Sequence, residues 1–206
     1  MKKSIIFYEA QRSGVLPENN RIPWRSDSFI LDRGPMQEDL SKGTEIFLVI
    51  FLIAETRACP TAPWQMEIKN LFLGYFDAGD HLKFTFPMAF SMTMLSWSML
   101  HYWEAYEAIG ELDNAIEQIK WGAEWLARAN PRKNELFALV GNPKVDHDYW
   151  GRAENFTAHR PTFKVTTGSP GSDVAGEVAA AMAAASLVLR KWGDESSFPD
   201  NLMKVS

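Results

Sequence analysis

The spacing of apolar residues predicts helices that are joined by long loops. Between Pro87 and Gly110 large apolar side chains recur every three or four residues, which is the period of a helix face. The stretch from Leu112 to Asn130 repeats this period, and the next residue is a proline. From Val174 to Lys191 the chain is rich in alanine, a strong helix former, and Asp173 is the predicted N-cap. The predicted faces are Phe86, Phe90, Met94, Trp97 and His101 on the first helix, and Ile116, Ile119, Ala123 and Leu126 on the second.

No stretch alternates apolar and polar residues over a convincing length, so the predicted fold class is mainly α. We expect most of the tryptophans, such as Trp97 and Trp125, to pack between helices. The loops that join the helices are then the expected carriers of function.

Two segments near the start of the chain need separate interpretations. The apolar residues after Lys3 are interrupted by Glu9, so this stretch predicts an amphipathic helix stopped near Gly14 and no signal peptide. Residues 46–54 are continuously apolar, but a membrane-spanning helix needs about 20 such residues. A buried strand, a short buried helix and a segment foreign to the fold all stay open for residues 46–54.

Length and composition fit one globular domain or two small ones. The chain has 206 residues, a formal net charge of −5 and a single cysteine. The negative charge argues against a nucleic-acid partner, since phosphate contacts need a cationic surface. One cysteine excludes an internal disulfide.

The sharpest local motif is GYFDAGDHLKF at residues 74–84. Asp77 and Asp80 are separated by the small residues Ala78 and Gly79, so both carboxylates can converge on one point where a water or ligand approaches closely. Three interpretations follow from the spacing: a helix cap or turn, acid–base chemistry on a water, or a metal site shared with His81.

A second cluster, DHDYWG at residues 146–151, combines His147 with Trp150 in a loop. A flat indole stacks on the apolar face of a pyranose while polar groups bind its hydroxyls, so this cluster is typical of a sugar site. The alternative is a solvated loop that a buried Trp150 anchors.

The order of these motifs resembles glycoside hydrolase family 9, the endo-β-1,4-glucanases or cellulases. Nearly all of the chain takes part, and the collinear set is specific although no single member is. The segments that carry the resemblance are residues 7–14, 16–17, 24–28, 74–84, 87–91, 119–121, 147–154, 160–165 and 170–173.

The resemblance implies a partial (α/α)6 barrel, truncated to about its first half, with an open cleft for a β-1,4-glucan. It also implies inverting hydrolysis, in which a carboxylate activates water and a carboxylic acid protonates the leaving oxygen. By position in the motif, Asp80 matches the general base and Asp77 the aspartate that holds the water. His147 and Trp150 match residues that line the cleft, and His81 is a further candidate for substrate binding.

The sequence departs from the family pattern in what it lacks. The family's general acid is a glutamate near the end of its domain, and no residue here matches it; Glu154 is not a substitute. The calcium loop also belongs to that later region, so we expect no cofactor or metal within this chain. Residues 1–206 are therefore interpreted as an incomplete catalytic domain, inactive alone.

The sequence also carries extra residues. In the family a motif like Asp39-Leu40-Ser41 runs almost directly into Gly-Tyr-Phe-Asp, whereas here residues 43–73 intervene. We interpret residues 43–73 as an atypical insert, such as a translated intron.

The expected partner is a β-1,4-glucan polysaccharide, with no nucleic acid and no membrane. The family norm is secretion, although no signal peptide is visible. The alternative is a non-catalytic glucan-binding or defective isoform, with a metal-binding helical protein as the least favoured hypothesis.

Overall fold

The computed structural model describes residues 1–32, 71, 73–193 and 198–205. The apolar run at 46–54 and most of the predicted insert at 43–73 lie outside these residues.

Six α-helices and three strands make up the described part of the chain. The helices are α1 (Lys2–Ala10), α2 (Thr85–Ala108), α3 (Leu112–Ala129), α4 (Pro143–His147), α5 (Ser172–Val188) and α6 (Phe198–Val205). The strands are β1 (Lys83–Phe84), β2 (Glu135–Val140) and β3 (Thr162–Thr166), with a 3₁₀ turn at Ala153–Asn155 and a π-helical turn at Leu189–Gly193.

Helix packing forms the core. Helix α2 makes its most extensive contact with α5 and a smaller one with α3, and α3 also packs on α5. On the packed side of α5, alanines such as Ala181 and Ala185 are fully buried, so neighbouring helices approach this side closely. The predicted stripe of α3 is confirmed as well, because Ile116, Ile119, Ala123 and Leu126 are all buried.

The stretch Ser172–Trp192 is long and apolar enough to cross a bilayer. Its buried members, such as Met182 and Val188, belong to the same hydrophobic cluster as Met92 of α2. Packing against the described residues therefore explains part of the apolar character of this stretch.

The predicted N-cap of α5 is wrong. The helix begins at Ser172 with Gly171 in the N-cap position, and no side chain caps it. Asp173 instead lies in the first turn, where a carboxylate is favoured by the helix dipole.

The sheet was not predicted. The order is β1-β2-β3 and both pairs are antiparallel, with Lys83 opposite Val140 and Val140 opposite Thr162. The sequence signal is weak because β1 has two residues and β2 reads Glu-Leu-Phe-Ala-Leu-Val, which does not alternate. The fold is mainly α, as expected, with this small sheet added.

Helix α2 has the predicted period, but the expected burial of Trp97 is wrong. Trp97 is 54% exposed, whereas Trp125 of α3 is fully buried as expected. The whole predicted face of α2, which we name the outer face (Phe86, Phe90, Met94, Trp97 and His101), is exposed. The buried side of α2 is formed by Met88, Ala89, Met92 and Met99 together with the polar Thr93 and Ser96.

Candidate active site

The sheet brings three separate loops together at one end. Because Lys83 pairs with Val140, the residues before β1 lie beside the residues after β2. Because Val140 also pairs with Thr162, the residues before β3 reach the same end, where the N–H of Gly141 donates to the carbonyl of Pro161 at 2.8 Å. The aspartate motif, the His147 loop and Arg160 are therefore neighbours.

Two tryptophans on α3 fix the segment that leads into the aspartate motif. The Trp121 indole N–H donates to the carbonyl of Gly74 at 3.0 Å, and that of Trp125 donates to the carbonyl of Leu71 at 3.2 Å. Gly74 has φ +97°, and a Cβ there would lie 2.8 Å from the Trp125 ring. The backbone conformation and the close approach both require glycine at this position.

Asp77 and Asp80 lie on a tight turn. The Asp80 N–H is 3.3 Å from the Asp77 carbonyl, and the Asp77 N–H donates to the Leu82 carbonyl at 2.9 Å. Between the aspartates, Ala78 has φ +50°, in the left-handed region that non-glycine residues rarely adopt. Such strain persists only where the surroundings hold it, and it is frequent at functional sites.

The helix-cap interpretation of these aspartates is wrong, but the turn interpretation is confirmed. The N-cap of α2 is Phe84, and no side chain caps that helix. Asp80 Oδ1 instead accepts the N–H of Leu82 at 3.1 Å, which closes the turn.

His147 contacts the other oxygen of Asp80. The short helix α4 is capped by Asn142, whose Oδ1 accepts the N–H groups of Lys144 and Val145, and it ends at His147. His147 Nε2 lies 3.0 Å from Asp80 Oδ2, and the imidazole is largely open to solvent. Three residues further on, Trp150 is 95% exposed, so it is not the buried anchor of the alternative interpretation.

The surroundings of the turn raise the pKa values of Asp77 and His147. Partial burial raises the pKa of Asp77, and the neighbouring charge of Asp80 raises it further. The hydrogen bond to Asp80 raises the pKa of His147.

His81 faces the interior. Its ring is 8% exposed and lies near Phe29, Phe76, Tyr149 and Phe156. Burial lowers the pKa of His81, so the ring is neutral at neutral pH. Because the His81 ring is buried, a bound sugar would contact the surrounding residues and not the His81 ring itself.

A metal site is not formed by the described residues. Within residues 1–32, 71, 73–193 and 198–205 no three side chains of His, Cys, Asp or Glu are grouped so that they could hold an ion.

Comparisons with known proteins identify the family of this chain. The sequence model of glycosyl hydrolase family 9 matches residues 1–205. The chain belongs to glycosyl hydrolase family 9. It is 45% identical over 191 residues to Endoglucanase 7 of Oryza sativa subsp. japonica and 41% identical over 191 residues to Endoglucanase 6 of Arabidopsis thaliana. Each alignment covers 93% of this chain, but 30% and 26% of the respective relatives.

Solved structures of the family share the fold. An endoglucanase from the termite Nasutitermes takasagoensis matches with TM-score 0.81 and 36% identity, over 99% of this chain and 40% of the termite chain. The cellulase Cel9M of C. cellulolyticum in complex with cellobiose matches with TM-score 0.77 and 27% identity, over 99% of this chain and 40% of Cel9M. These structures are (α/α)6 barrels, so the family 9 chain described here forms part of such a barrel.

Glu154 has the wrong environment for a general acid. Burial alone would raise its pKa, but the N–H of Ser26 at 2.9 Å and the guanidinium of Arg25 at 3.0 Å lower it overall. A general acid is favoured by a raised pKa, which Glu154 lacks, and its contacts with Arg25 and Ser26 join two loops.

Sequence reasoning missed a buried charge cluster below the turn. Lys83 Nζ lies 2.8 Å from Asp32 Oδ2, and Arg160 Nε lies 2.8 Å from Asp32 Oδ1. Burial lowers the pKa of Lys83 to about 8. The available signal was a lysine between apolar residues of the motif, but the partners of Lys83 are distant in sequence.

Proposed function

We propose that this chain supplies the water-activating side of an endo-β-1,4-glucanase active site. Asp80 acts as general base and Asp77 helps to hold the attacking water. The observation that carries the proposal is the strained turn of a family 9 chain, which carries both aspartates and holds Asp80 against His147, in the same loop as the exposed Trp150.

In this proposal the substrate is a β-1,4-glucan such as cellulose. Trp150 offers an open indole face for stacking on a glucose ring, and His147 offers a polar group for its hydroxyls. The relatives named above are endoglucanases, and Cel9M was solved with cellobiose. Because cellulose lies outside the cell, the proposal places the protein in the extracellular space.

The reaction we propose is inverting hydrolysis. An inverting site separates base and acid by ~6.5–9.5 Å so that a water fits beside the sugar. Asp80 and Asp77 supply the base side, and the lowered pKa of Glu154 argues against it as the acid. The resemblance to the family implies that the acid is a glutamate from a later region of the catalytic domain, so we propose that the 206-residue chain does not hydrolyse glucan by itself.

The test is the release of reducing sugar from carboxymethylcellulose by the longest expressed polypeptide that contains this chain. Asp80→Asn keeps the shape of the side chain but removes the base, and we expect a loss of ~10²–10⁴-fold in kcat. Asp113→Asn, an exposed position in the first turn of α3, is the matched control. Retained activity in Asp80→Asn would falsify the assignment of the base.

A second candidate function is glucan binding without catalysis, favoured by the open indole of Trp150. Titration of the 206-residue chain with cellotetraose, followed by tryptophan fluorescence, tests it. A saturable change that Trp150→Ala abolishes supports binding, whereas no saturable change rejects it.

A further inference from the structure

The backbone of His81 is held on both sides by buried charged side chains. Asp146 Oδ1 accepts the N–H of His81 at 3.0 Å, and Arg160 Nη2 donates to the carbonyl of His81 at 2.7 Å. Asp146 and Arg160 have side chains that are 1% and 7% exposed. Both peptide groups beside His81 are therefore fixed from outside the aspartate turn, and one of them joins His81 to Asp80.

Arg160 is itself immobilised. Its Nε and Nη2 donate to the two carboxylate oxygens of Asp32 at 2.8 and 3.2 Å, which is the bidentate geometry that constrains a guanidinium most. The guanidinium carbon also lies 3.9 Å from the centre of the Phe29 ring. A donor held by three such contacts is a rigid support for the carbonyl of His81.

Asp146 connects the same peptide to the histidine that faces Asp80. Asp146 and His147 are adjacent in α4, and Asp80 and His81 are adjacent in the turn. These neighbouring pairs contact each other twice: Asp146 accepts the N–H of His81, and His147 lies against the carboxylate of Asp80. A shift of the Asp80–His81 peptide would therefore change the distance between Asp80 and His147.

We propose that Asp146 and Arg160 are positioning residues for hydrolysis, which fix the Asp80–His81 peptide so that the Asp80 carboxylate stays against His147 and aimed at the water. This inference rests on the proposed role of Asp80 as base. A misplacement of about 1 Å in a reacting group costs about 10²-fold in rate, so a support of this kind has a measurable effect.

The test uses the longest expressed polypeptide that contains this chain. Asp146→Ala removes the acceptor for the His81 N–H, and we expect kcat to fall about 10–100-fold with KM changed less than about 3-fold. Asp146→Asn keeps an acceptor oxygen, so it should recover most of the lost kcat. Arg160→Lys keeps a charge but loses the bidentate geometry, and it should lie between the two.

A second measurement separates positioning from general stability. The pKa of His147, followed by NMR of labelled imidazoles, is raised by its hydrogen bond to Asp80. The charge of Asp146 also raises that pKa directly, so the variant to titrate is Arg160→Lys, which keeps both charges. We expect the pKa of His147 to fall toward the ordinary value in Arg160→Lys. Glu111→Gln is the control, because Glu111 pairs with Arg21 and Lys2 and is as deeply buried as Asp146. The control should lower the melting temperature but leave kcat and the His147 pKa unchanged.

Each outcome decides the proposal. It is overturned if folded Asp146→Ala keeps kcat within about 3-fold, or if Arg160→Lys loses kcat with an unchanged His147 pKa. The isosteric Asp146→Asn and Arg160→Lys give the answer if the alanine variant does not fold. If Asp80→Asn is active, the proposed function fails, yet the His147 titration still reports on the support of the peptide.

Discussion

The surroundings of the aspartate turn and the outer face of α2 both contain large apolar side chains, but they differ in what covers them. Next to the turn, Leu82 and Trp125 are fully buried and Phe76 is 6% exposed. On the outer face, Phe90 and Trp97 are each 54% exposed. The described residues therefore complete the support of the turn but leave the outer face of α2 without a cover.

The architecture explains this difference. In an (α/α)6 barrel each helix packs on neighbours at both sides, and this chain covers 40% of the termite structure. The turn depends on α3, the sheet and the loops at its end, which all lie within the described residues. The outer face of α2 has no neighbour among them. The local chemistry of the turn is thus more complete than the barrel around it.

The largest expected effect on stability comes from replacing one tryptophan in each region by alanine. Trp125→Ala opens a cavity against Gly74 and removes the hydrogen bond to Leu71, so we expect a loss of about 3–5 kcal/mol in the free energy of unfolding. Trp97→Ala should cost less than half as much, because half of its side chain is already exposed. Urea unfolding followed by circular dichroism gives both values. Equal losses would contradict the comparison.

The next effect concerns the segment that joins Asp32 to the turn. The N–H of Leu71 donates to the carbonyl of Asp32 at 2.9 Å, so the chain returns to Asp32 at Leu71. Leu40 and Leu71 each precede a glycine, Gly43 and Gly74, by three residues. In a variant that lacks residues 40–70, Leu71 therefore follows Asp39 directly, as Leu40 does in the complete chain, and a glycine still follows three residues later. This variant tests whether residues 40–70 contain an insert.

We expect this deletion to raise the free energy of unfolding by about 1.5 kcal/mol. It shortens the connection between Asp32 and Leu71 from 38 residues to 7, and each doubling of a closed loop costs roughly 0.6 kcal/mol of chain entropy. Urea unfolding of the deleted and complete chains measures the difference. A destabilised deletion variant would show that residues 40–70 belong to the fold.

The three long helices α2, α3 and α5 were predictable because their helical period or composition does not depend on which elements cover them. The repeat of α2 is correct, although the apolar face faces solvent and the polar Thr93 and Ser96 are buried. Sequence patterns assign a face but not its neighbour, and here that neighbour is not among the described residues. The prediction that Trp97 packs between helices failed for this reason.

The site was predictable residue by residue but not as an assembly. Asp77, Asp80, His147 and Trp150 were candidates from their motifs, and the structure places Asp80 against His147. What joins them is the sheet, whose strands are too short to show alternation. The supports Asp146 and Arg160 act through the backbone of His81, and a backbone contact leaves no residue-type signature in the sequence.

The smallest change in stability is expected for charged substitutions on the outer face of α2. In Phe90→Lys with Trp97→Arg, the long aliphatic stems still cover part of the helix surface while the charges enter water. The free energy of unfolding should therefore change by less than about 1 kcal/mol.

An exposed apolar patch binds hydrophobic dyes, so the fluorescence of anilinonaphthalene sulfonate with the 206-residue chain should fall strongly in the double variant. Phe163→Lys is the control, since Phe163 is 49% exposed on β3 and away from α2, and its dye fluorescence should match that of the unmodified chain. Undiminished dye fluorescence in the double variant would mean that the uncovered surface of this chain lies elsewhere than on the outer face.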